Sequence, residues 1–197
     1  MPKVYNGDLT KMFDISGKKA MIFGGAGGFG EAIAAAYAAN GCSVCISSRS
    51  EEKLKAAAAK IEAAAAPGVK VMYLAGDAGD EEFVKKCVEV VTGPEGLGGC
   101  DILVNAQGIN KKMWSHEIDT EFFEKMLHTN ITSLMLTCKY FGNWMKSNNV
   151  EGAEKIGEAD FEHGKCNPNQ GYGKIINFGS VRGIRAVANG GGGNVPY

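Results

Sequence analysis

A glycine-rich segment near the N-terminus has the spacing that phosphate binding requires. Residues 24–30 read Gly-Gly-Ala-Gly-Gly-Phe-Gly, with the pattern Gly24-x-x-x-Gly28-x-Gly30 and Phe29 between the last two glycines. In such loops one glycine makes a tight exit from a strand, another lets backbone approach a pyrophosphate, and a third packs a helix against the sheet. The N-terminus of that helix then holds the phosphates. The segment predicts a dinucleotide-binding loop, with a merely permissive turn as the alternative.

A second candidate set follows the next apolar run, where residues 47–50 read Ser-Ser-Arg-Ser. In dinucleotide-binding domains this position, about 20 residues after the loop, meets the adenosine ribose, and a carboxylate there binds the ribose hydroxyls. Here no acidic residue is present, and Arg49 beside Ser48 would instead attract a 2′-phosphate, a contact worth about 1.5–3 kcal/mol. We therefore predict NADP(H) as the cofactor, with NAD(H) as the alternative. The competing interpretation is that Arg49 only solvates a helix start.

Alternating strands and helices must position these residues. Short apolar runs predict five strands, at 20–23, 43–47, 69–74, 101–105 and 174–178. Apolar residues at helical spacing predict helices over 29–40, after Ser50, over about 80–92, and from about 119 onward. The last helix carries the apolar residues Phe123, Met126, Leu127, Ile131, Leu134, Cys138, Phe141 and Met145. This alternation predicts an α/β fold of the Rossmann type, a doubly wound parallel sheet covered on both faces.

Length and charge limit the class of protein. The 197 residues suit one domain over 1–197, with the polar stretch 147–173 as a surface insertion. The net charge of −1 argues against nucleic acid or an anionic membrane as a partner. Neither a signal peptide nor an apolar membrane span is evident in the sequence, so we expect a cytoplasmic protein that acts on a small molecule.

The cysteines and histidines suggest neither disulfides nor a metal. Cys42 and Cys45 form a C-x-x-C, but they fall in a predicted strand, where residues three apart point to opposite faces. They are therefore expected to be reduced core residues. His116, His128 and His163 share no helical or strand spacing, so no metal is assigned.

Several motifs, taken in chain order, resemble those of the short-chain dehydrogenase/reductase family. The glycine spacing is the family's, although Phe23 stands where a threonine is usual. Residues 105–108 (Asn-Ala-Gln-Gly) resemble its Asn-Asn-Ala-Gly motif and keep the outer two residues. The resemblance covers nearly all of 14–197. Within the family, segments 13–18 and 108–112 are most similar to the gluconate and 2-deoxygluconate dehydrogenase branch.

The resemblance extends the predicted cofactor site beyond the glycine loop. Asp77, followed by Ala78 after the third strand, stands where the family has an adenine-contacting Asp. Asn105 and Gly108, after the fourth strand, match positions that border the cofactor in the family.

The resemblance also implies catalytic residues. Hydride transfer to nicotinamide creates or removes an alkoxide, which needs a proton donor or acceptor and an oxyanion partner. Tyr197, in Val-Pro-Tyr, resembles the family's proton-transferring Tyr, and Ser180, in Asn-Phe-Gly-Ser, resembles its oxyanion-binding Ser. Asn130 resembles its mid-helix water-relay Asn.

The family's lysine four residues beyond the tyrosine has no counterpart, because the sequence ends at Tyr197. That lysine lowers the pKa of a phenol that otherwise titrates near ~10. We expect the chain to be a C-terminally incomplete part of a longer enzyme, and a homo-oligomer in its full-length form. A natural short form is the alternative.

Two further functions and one substrate class follow from the same residues. A nucleotide-binding regulatory protein without hydride transfer would need only the loop and Arg49. A methyltransferase is disfavoured, because its second strand should end with an acidic residue for the ribose. Four cations near the site (Lys111, Lys112, Arg182 and Arg185) could hold the carboxylate of a sugar acid, or could be solvated loop charges.

Overall fold

The structure, a computed structural model, describes residues 13–111, 116–148 and 173–180. Strands and helices alternate along this part of the chain. They are β1 (Lys19–Phe23), α1 (Gly28–Ala39), β2 (Ser43–Ser48), α2 (Glu51–Ala64), β3 (Val71–Ala75), α3 (Glu81–Thr92), β4 (Ile102–Asn105), α4 (Thr120–Leu127), α5 (Ser133–Asn148) and β5 (Lys174–Asn177). The bounds lie within one or two residues of the predicted elements, except that the last predicted helix is interrupted.

The strands form one parallel sheet in the order β3-β2-β1-β4-β5. The chain steps outward from β1 to β3, then returns to add β4 and β5 on the other side of β1. The doubly wound Rossmann-type fold predicted from the sequence is therefore confirmed. In such sheets the direction of winding reverses between β1 and β4, and ligands bind beyond the carboxyl ends of the strands at that point.

Hydrophobic residues pack on both faces of the sheet. On β1, Ala20 and Ile22 join the cluster formed with α1 and α2. Met21 and Phe23 point to the other face and pack with residues of α3 and α5. This alternation is the side-chain period of a strand. Cys42 lies in the first cluster and Cys45 in the second, which confirms that the C-x-x-C residues point to opposite faces.

The long helix predicted from about 119 contains a π-helical turn over 128–132, which joins α4 to α5. A π turn adds a residue to the helical repeat and rotates the residues that follow it. The buried positions after the turn are consequently polar as well as apolar, and Thr129, Ser133 and Thr137 are all buried. Ile131, one of the apolar residues of the predicted helix, is 52% exposed. The prediction of one long helix did not include the π turn.

At the other edge of the described sheet, β5 pairs with β4 in parallel. Its apolar side chains are partly exposed, with Ile175 at 42% and Ile176 at 40%. Most of the predicted insertion, residues 149–172, lies outside the described residues. None of the described helices is both long and apolar enough to cross a membrane.

Candidate cofactor-binding site

A cleft of about 380 Å³ opens at the carboxyl ends of four strands. It lies where the winding of the sheet reverses between β1 and β4, as expected for a ligand site in a doubly wound fold. It is lined by Phe23, Gly24, Ala26, Gly27, Ser47, Ser48, Arg49, Ser50, Lys53, Gly76, Asp77, Ala78, Ala106, Gln107, Gly108, Thr129 and Ser133.

Two of the predicted loop glycines are required for packing, and the third leaves space. Gly24 has φ +75°, and a Cβ there would lie 2.6 Å from the backbone of Ala106. A Cβ on Gly30 would overlap the carbonyl oxygen of Gly24 and lie 2.9 Å from the Cα of Gly25. A Cβ on Gly28 would meet nothing within 4 Å. The first two glycines bring helix and strand together, while Gly28 leaves room at the start of α1 for a ligand to approach.

The start of α1 differs from the starts of the next two helices. Ser50 caps α2 by accepting a hydrogen bond from the Lys53 N–H, and Asp80 caps α3 by accepting from the Glu82 N–H. The N-cap residue of α1 is Gly27, which has no side chain to do this. The first N–H groups of α1 have no partner within the helix and carry the positive end of its dipole. They are therefore suited to bind phosphate oxygens.

The end of β2 contributes hydroxyl and cationic groups to the cleft. The Oγ atoms of Ser47 and Ser48 are buried and have no hydrogen-bond partner among the described residues. Arg49 is exposed, and Lys53 joins it from the first turn of α2. Within the described part of the chain neither Arg49 nor Lys53 forms an ion pair. Ser48 and Arg49 thus lie together in the cleft, with Lys53 as a cation that sequence reasoning missed.

The loop after β3 brings the predicted Asp77 and Ala78 into the same cleft. The Oδ1 atom of Asp77 accepts a hydrogen bond of 2.8 Å from the Gly79 N–H. This turn fixes the carboxylate at the edge of the site.

Asn105 does not line the cleft, although it was predicted to border the cofactor. Its side chain is buried and donates to Asn177 Oδ1 at 2.8 Å and to Cys138 Sγ at 3.4 Å. It also accepts from Thr137 Oγ1 at 2.8 Å. These bonds hold β4, β5 and α5 together behind the site. A direct contact between Asn105 and the cofactor remains a prediction.

Asn130 lies in the π turn and braces the loop that contains Gly108. Its Oδ1 accepts from the Ile109 N–H at 2.8 Å, and its Nδ2 donates to the Ile109 carbonyl at 3.0 Å. Gly108 itself lines the cleft. The structure thus gives Asn130 a positioning role, and its role in a water relay remains a prediction.

Three polar residues in the cleft were missed by sequence reasoning. Gln107 Nε2 donates to Ser133 Oγ at 3.1 Å, and Ser133 Oγ donates to the Thr129 carbonyl at 2.6 Å. The Oε1 atom of Gln107 is buried without a hydrogen-bond partner among the described residues. Gln107 is visible in the sequence as a departure from the family motif, but it was not assigned to the site. Thr129 lies in the π turn and Ser133 directly follows it, and this turn has no evident sequence signal.

The predicted catalytic residues are described in part. Ser180 is half-buried and follows β5 by three residues, beside the carboxyl end of β4. Nearby, the ring of Phe178 lies 5.5 Å from the ring of Phe29, so the end of β5 contacts the start of α1. Phe29 is 73% exposed and does not line the cleft described above. Tyr197 lies outside the described residues.

Among the cations suggested for a substrate carboxylate, Lys111 is exposed, and its Nζ lies 5.4 Å from the centroid of the Phe122 ring. Lys112, Arg182 and Arg185 lie outside the described residues. The described residues contain no cluster of three or more His, Cys, Asp or Glu side chains that could hold a metal ion.

The chemistry of the cleft fits a nicotinamide dinucleotide. Three buried oxygen atoms, on Ser47, Ser48 and Gln107, lack partners among the described residues, and all three residues line the cleft. Buried polar atoms are normally hydrogen-bonded, so atoms left without a partner in one cleft indicate a polar ligand. An uncapped helix start and two cations add complementarity to phosphates.

Fold and cleft together define an α/β protein with a dinucleotide-type site. Residues 18–154 match the family model described as short chain dehydrogenase. The chain therefore belongs to the short-chain dehydrogenase family.

Similar proteins include enzymes of several kinds. The chain is 31% identical over 137 residues to glucose 1-dehydrogenase of Gluconobacter oxydans, covering 70% of this chain and 50% of that protein. It is 32% identical over 169 residues to carbonyl reductase family member 4 of Danio rerio, covering 86% and 59%. A solved short-chain type dehydrogenase/reductase from Mycobacterium marinum superposes with a TM-score of 0.76 at 26% identity, covering 94% of this chain and 64% of that one. The chain thus spans little more than half the length of these curated relatives.

Proposed function

We propose that this chain takes part in hydride transfer between NADP(H) and a hydroxyl or carbonyl group of a small polar substrate. The observation that carries the proposal is the cleft at the carboxyl ends of the strands, with its uncapped helix start and its unpartnered buried oxygen atoms. Membership of the short-chain dehydrogenase family supports the reaction class. When bound, the dinucleotide supplies or accepts the hydride.

The cations at the end of β2 support NADP(H) over NAD(H). Arg49 and Lys53 line the cleft beside Ser48, and no carboxylate lines it at the end of β2. Two cations and a hydroxyl complement a 2′-phosphate, whereas an acidic residue would repel it.

The catalytic part of the proposal concerns Ser180 and Tyr197. A hydroxyl at Ser180 would donate a hydrogen bond to the substrate oxygen as charge develops on it. Tyr197 would exchange the proton with the same oxygen. Asn130 supports the loop after β4 through the Ile109 backbone. A sugar acid is the substrate class we propose, with a cation such as Lys111 as partner for its carboxylate. An unchanged KM for gluconate-type substrates in the variants Lys111→Ala and Arg182→Ala would contradict this assignment.

Fluorescence titration of the chain with NADPH and NADH tests the cofactor proposal. We expect NADPH to bind more tightly, and Arg49→Ala to weaken NADPH binding by about 10- to 150-fold, the value of one charge-assisted contact. NADH binding should change little in the same variant. Lys55→Ala is the matched control, because Lys55 is exposed on α2 and pairs with Glu51 away from the cleft. Tighter binding of NADH than of NADPH by the unmodified chain would overturn the assignment.

Binding without turnover is the second candidate function, because the uncapped helix start and the unpartnered oxygen atoms of the cleft would suffice to hold a nucleotide without any hydride transfer. A single-turnover assay with a sugar acid and NADP⁺, following nicotinamide absorbance, separates the two functions. Hydride transfer that is lost in Tyr197→Phe supports the enzyme. Tight NADPH binding with no transfer supports the binding protein.

A further inference from the structure

The side chain of Gln107 has an unexplained oxygen atom in the cofactor cleft. Gln107 lines the cleft at the end of β4, and its Oε1 atom is buried with no hydrogen-bond partner among the described residues. Leaving a buried acceptor unpaired is unfavourable, so such an atom needs a donor from water or from a ligand. The cofactor roles described above do not use this side chain.

The hydrogen bond between Gln107 and Ser133 fixes the orientation of the Gln107 amide. Ser133 Oγ lies 2.6 Å from the Thr129 carbonyl, which can only accept, so the serine hydroxyl is the donor in that contact. Ser133 Oγ must then accept from Gln107, and the atom 3.1 Å away is the Nε2 donor of the amide. A flipped amide would set two acceptors competing for one hydroxyl proton. The oxygen of Gln107 is therefore the amide atom that lies away from Ser133 Oγ, on a residue that lines the cleft.

The surroundings indicate which donor a ligand would present. The backbone of residues 106 and 107 touches the phosphate loop, since a Cβ on Gly24 would lie 2.6 Å from Ala106 C and from Gln107 N. Gln107 is thus close to the position predicted for the pyrophosphate. In a dinucleotide a ribose stands on each side of the pyrophosphate, and its hydroxyl groups are the donors available there.

We infer that Gln107 Oε1 accepts a hydrogen bond from a ribose hydroxyl of the bound cofactor, and that Ser133 and Thr129 hold the amide in the orientation this requires. The inference rests on the proposed function, because it assumes a dinucleotide in the cleft. It makes Gln107 a cofactor-binding residue specific to this chain's Asn-Ala-Gln-Gly sequence.

The test compares Gln107→Met with Ser133→Ala in the 197-residue chain. Methionine keeps the length of the side chain and removes the Oε1 acceptor. Ser133→Ala removes the hydroxyl that accepts from Gln107 Nε2 and leaves the Oε1 acceptor in place. We expect Gln107→Met to weaken NADPH binding by about 2- to 12-fold, the range of one neutral hydrogen bond. Its melting temperature without ligand should change little, because the loss of the hydrogen bond to Ser133 is offset by the removal of a buried unpaired atom. Ser133→Ala should lower the melting temperature and weaken binding less.

Calorimetric titration with 2′,5′-ADP distinguishes the two riboses. If the adenosine ribose is the donor, Gln107→Met weakens both 2′,5′-ADP and NADPH; if the other ribose is, only NADPH binding changes. Either pattern supports the inference. If the unmodified chain binds NADPH tightly and Gln107→Met binds it equally well, the inference is overturned but the proposed function is not. Absence of NADPH and NADH binding by the unmodified chain overturns both the inference and the proposed function.

Discussion

Polar side chains at the two ends of the sheet differ in whether they have hydrogen-bond partners within the fold. At the amino end, Asp101 Oδ2 accepts from the Lys19 N–H at 2.9 Å, and Ser43 Oγ accepts from the Lys70 N–H at 3.1 Å. At the carboxyl end, the buried oxygens of Ser47, Ser48 and Gln107 have no partner among the described residues. The two side chains at the first end stabilise the fold, while these three oxygens at the second end have unused hydrogen-bonding capacity.

Volume alone would not have separated the two ends. A cavity of about 500 Å³, larger than the cofactor cleft, lies at the amino end and is lined in part by Phe13, Ile15, Tyr37 and Ile176. None of the buried side-chain oxygens that lack a partner in the described residues lines it. Unsatisfied hydrogen-bonding capacity, rather than size, distinguishes the candidate cofactor cleft from this second cavity.

The largest expected effect comes from the loop glycines. Gly30→Ala should lower the free energy of unfolding by at least about 3 kcal/mol, because the new Cβ overlaps backbone that cannot move aside cheaply. Gly28→Ala should change it by less than about 1 kcal/mol, since its Cβ meets nothing, yet it should abolish tight NADPH binding by filling the approach to the helix start. Denaturant unfolding and fluorescence titration measure the two quantities. Equal stability of the two variants would contradict the assigned roles.

Substitutions of Asp101 test whether the polar groups at the amino end of the sheet serve stability rather than binding. Asp101→Ala leaves the Lys19 N–H without its acceptor and should cost about 1–3 kcal/mol of unfolding free energy. Asp101→Asn keeps an acceptor and should recover most of that loss. NADPH affinity should stay within about twofold of the unmodified chain in both variants, because distant sites act independently. A large change in affinity would show that this end also contributes to binding.

Some features of the fold and of the candidate site could be predicted from the sequence, and others could not. The glycine loop and the strand ends could be predicted because apolar period and glycine position are local properties. The π turn could not, because an extra residue in a helix depends on the packing of residues far apart in the chain. Thr129 lies in this turn, Ser133 directly follows it, and both line the cleft. The separate role of Asn105 depends likewise on its long-range contact with Asn177.

The buried thiol of Cys100, just before β4, predicts a pH dependence. Burial raises its pKa to about 12, above the value of ~8.5 for a free thiol. The protonated form is therefore favoured in the folded state, and this contribution is complete below pH ~8.5 and is lost as pH rises toward 12. We expect the unfolding free energy to fall by about 1 kcal/mol over the first pH unit above 9. Denaturation of Cys100→Ala at the same pH values should show a shallower decline; an identical slope would contradict the assignment.

The smallest effects come from a matched pair of serines on β2. Ser47→Ala removes an unpartnered hydroxyl at the carboxyl end, so it should leave stability unchanged or higher and weaken NADPH binding by about 2- to 12-fold. Ser43→Ala removes a hydroxyl that accepts from Lys70 at the amino end. It should lower stability by about 0.5–1.5 kcal/mol and leave NADPH affinity unchanged. A loss of stability in Ser47→Ala together with a loss of NADPH affinity in Ser43→Ala would contradict the distinction between the two ends of the sheet.

Hydrogen–deuterium exchange of the chain with and without NADPH tests the central claim most directly, because it reports both ends of the sheet in one measurement. We predict that NADPH slows exchange at residues 24–30, 47–49 and 106–109, and leaves residues 18–19, 42–43 and 98–101 unchanged. Slower exchange confined to the amino end, or no change anywhere at saturating NADPH, would contradict the account.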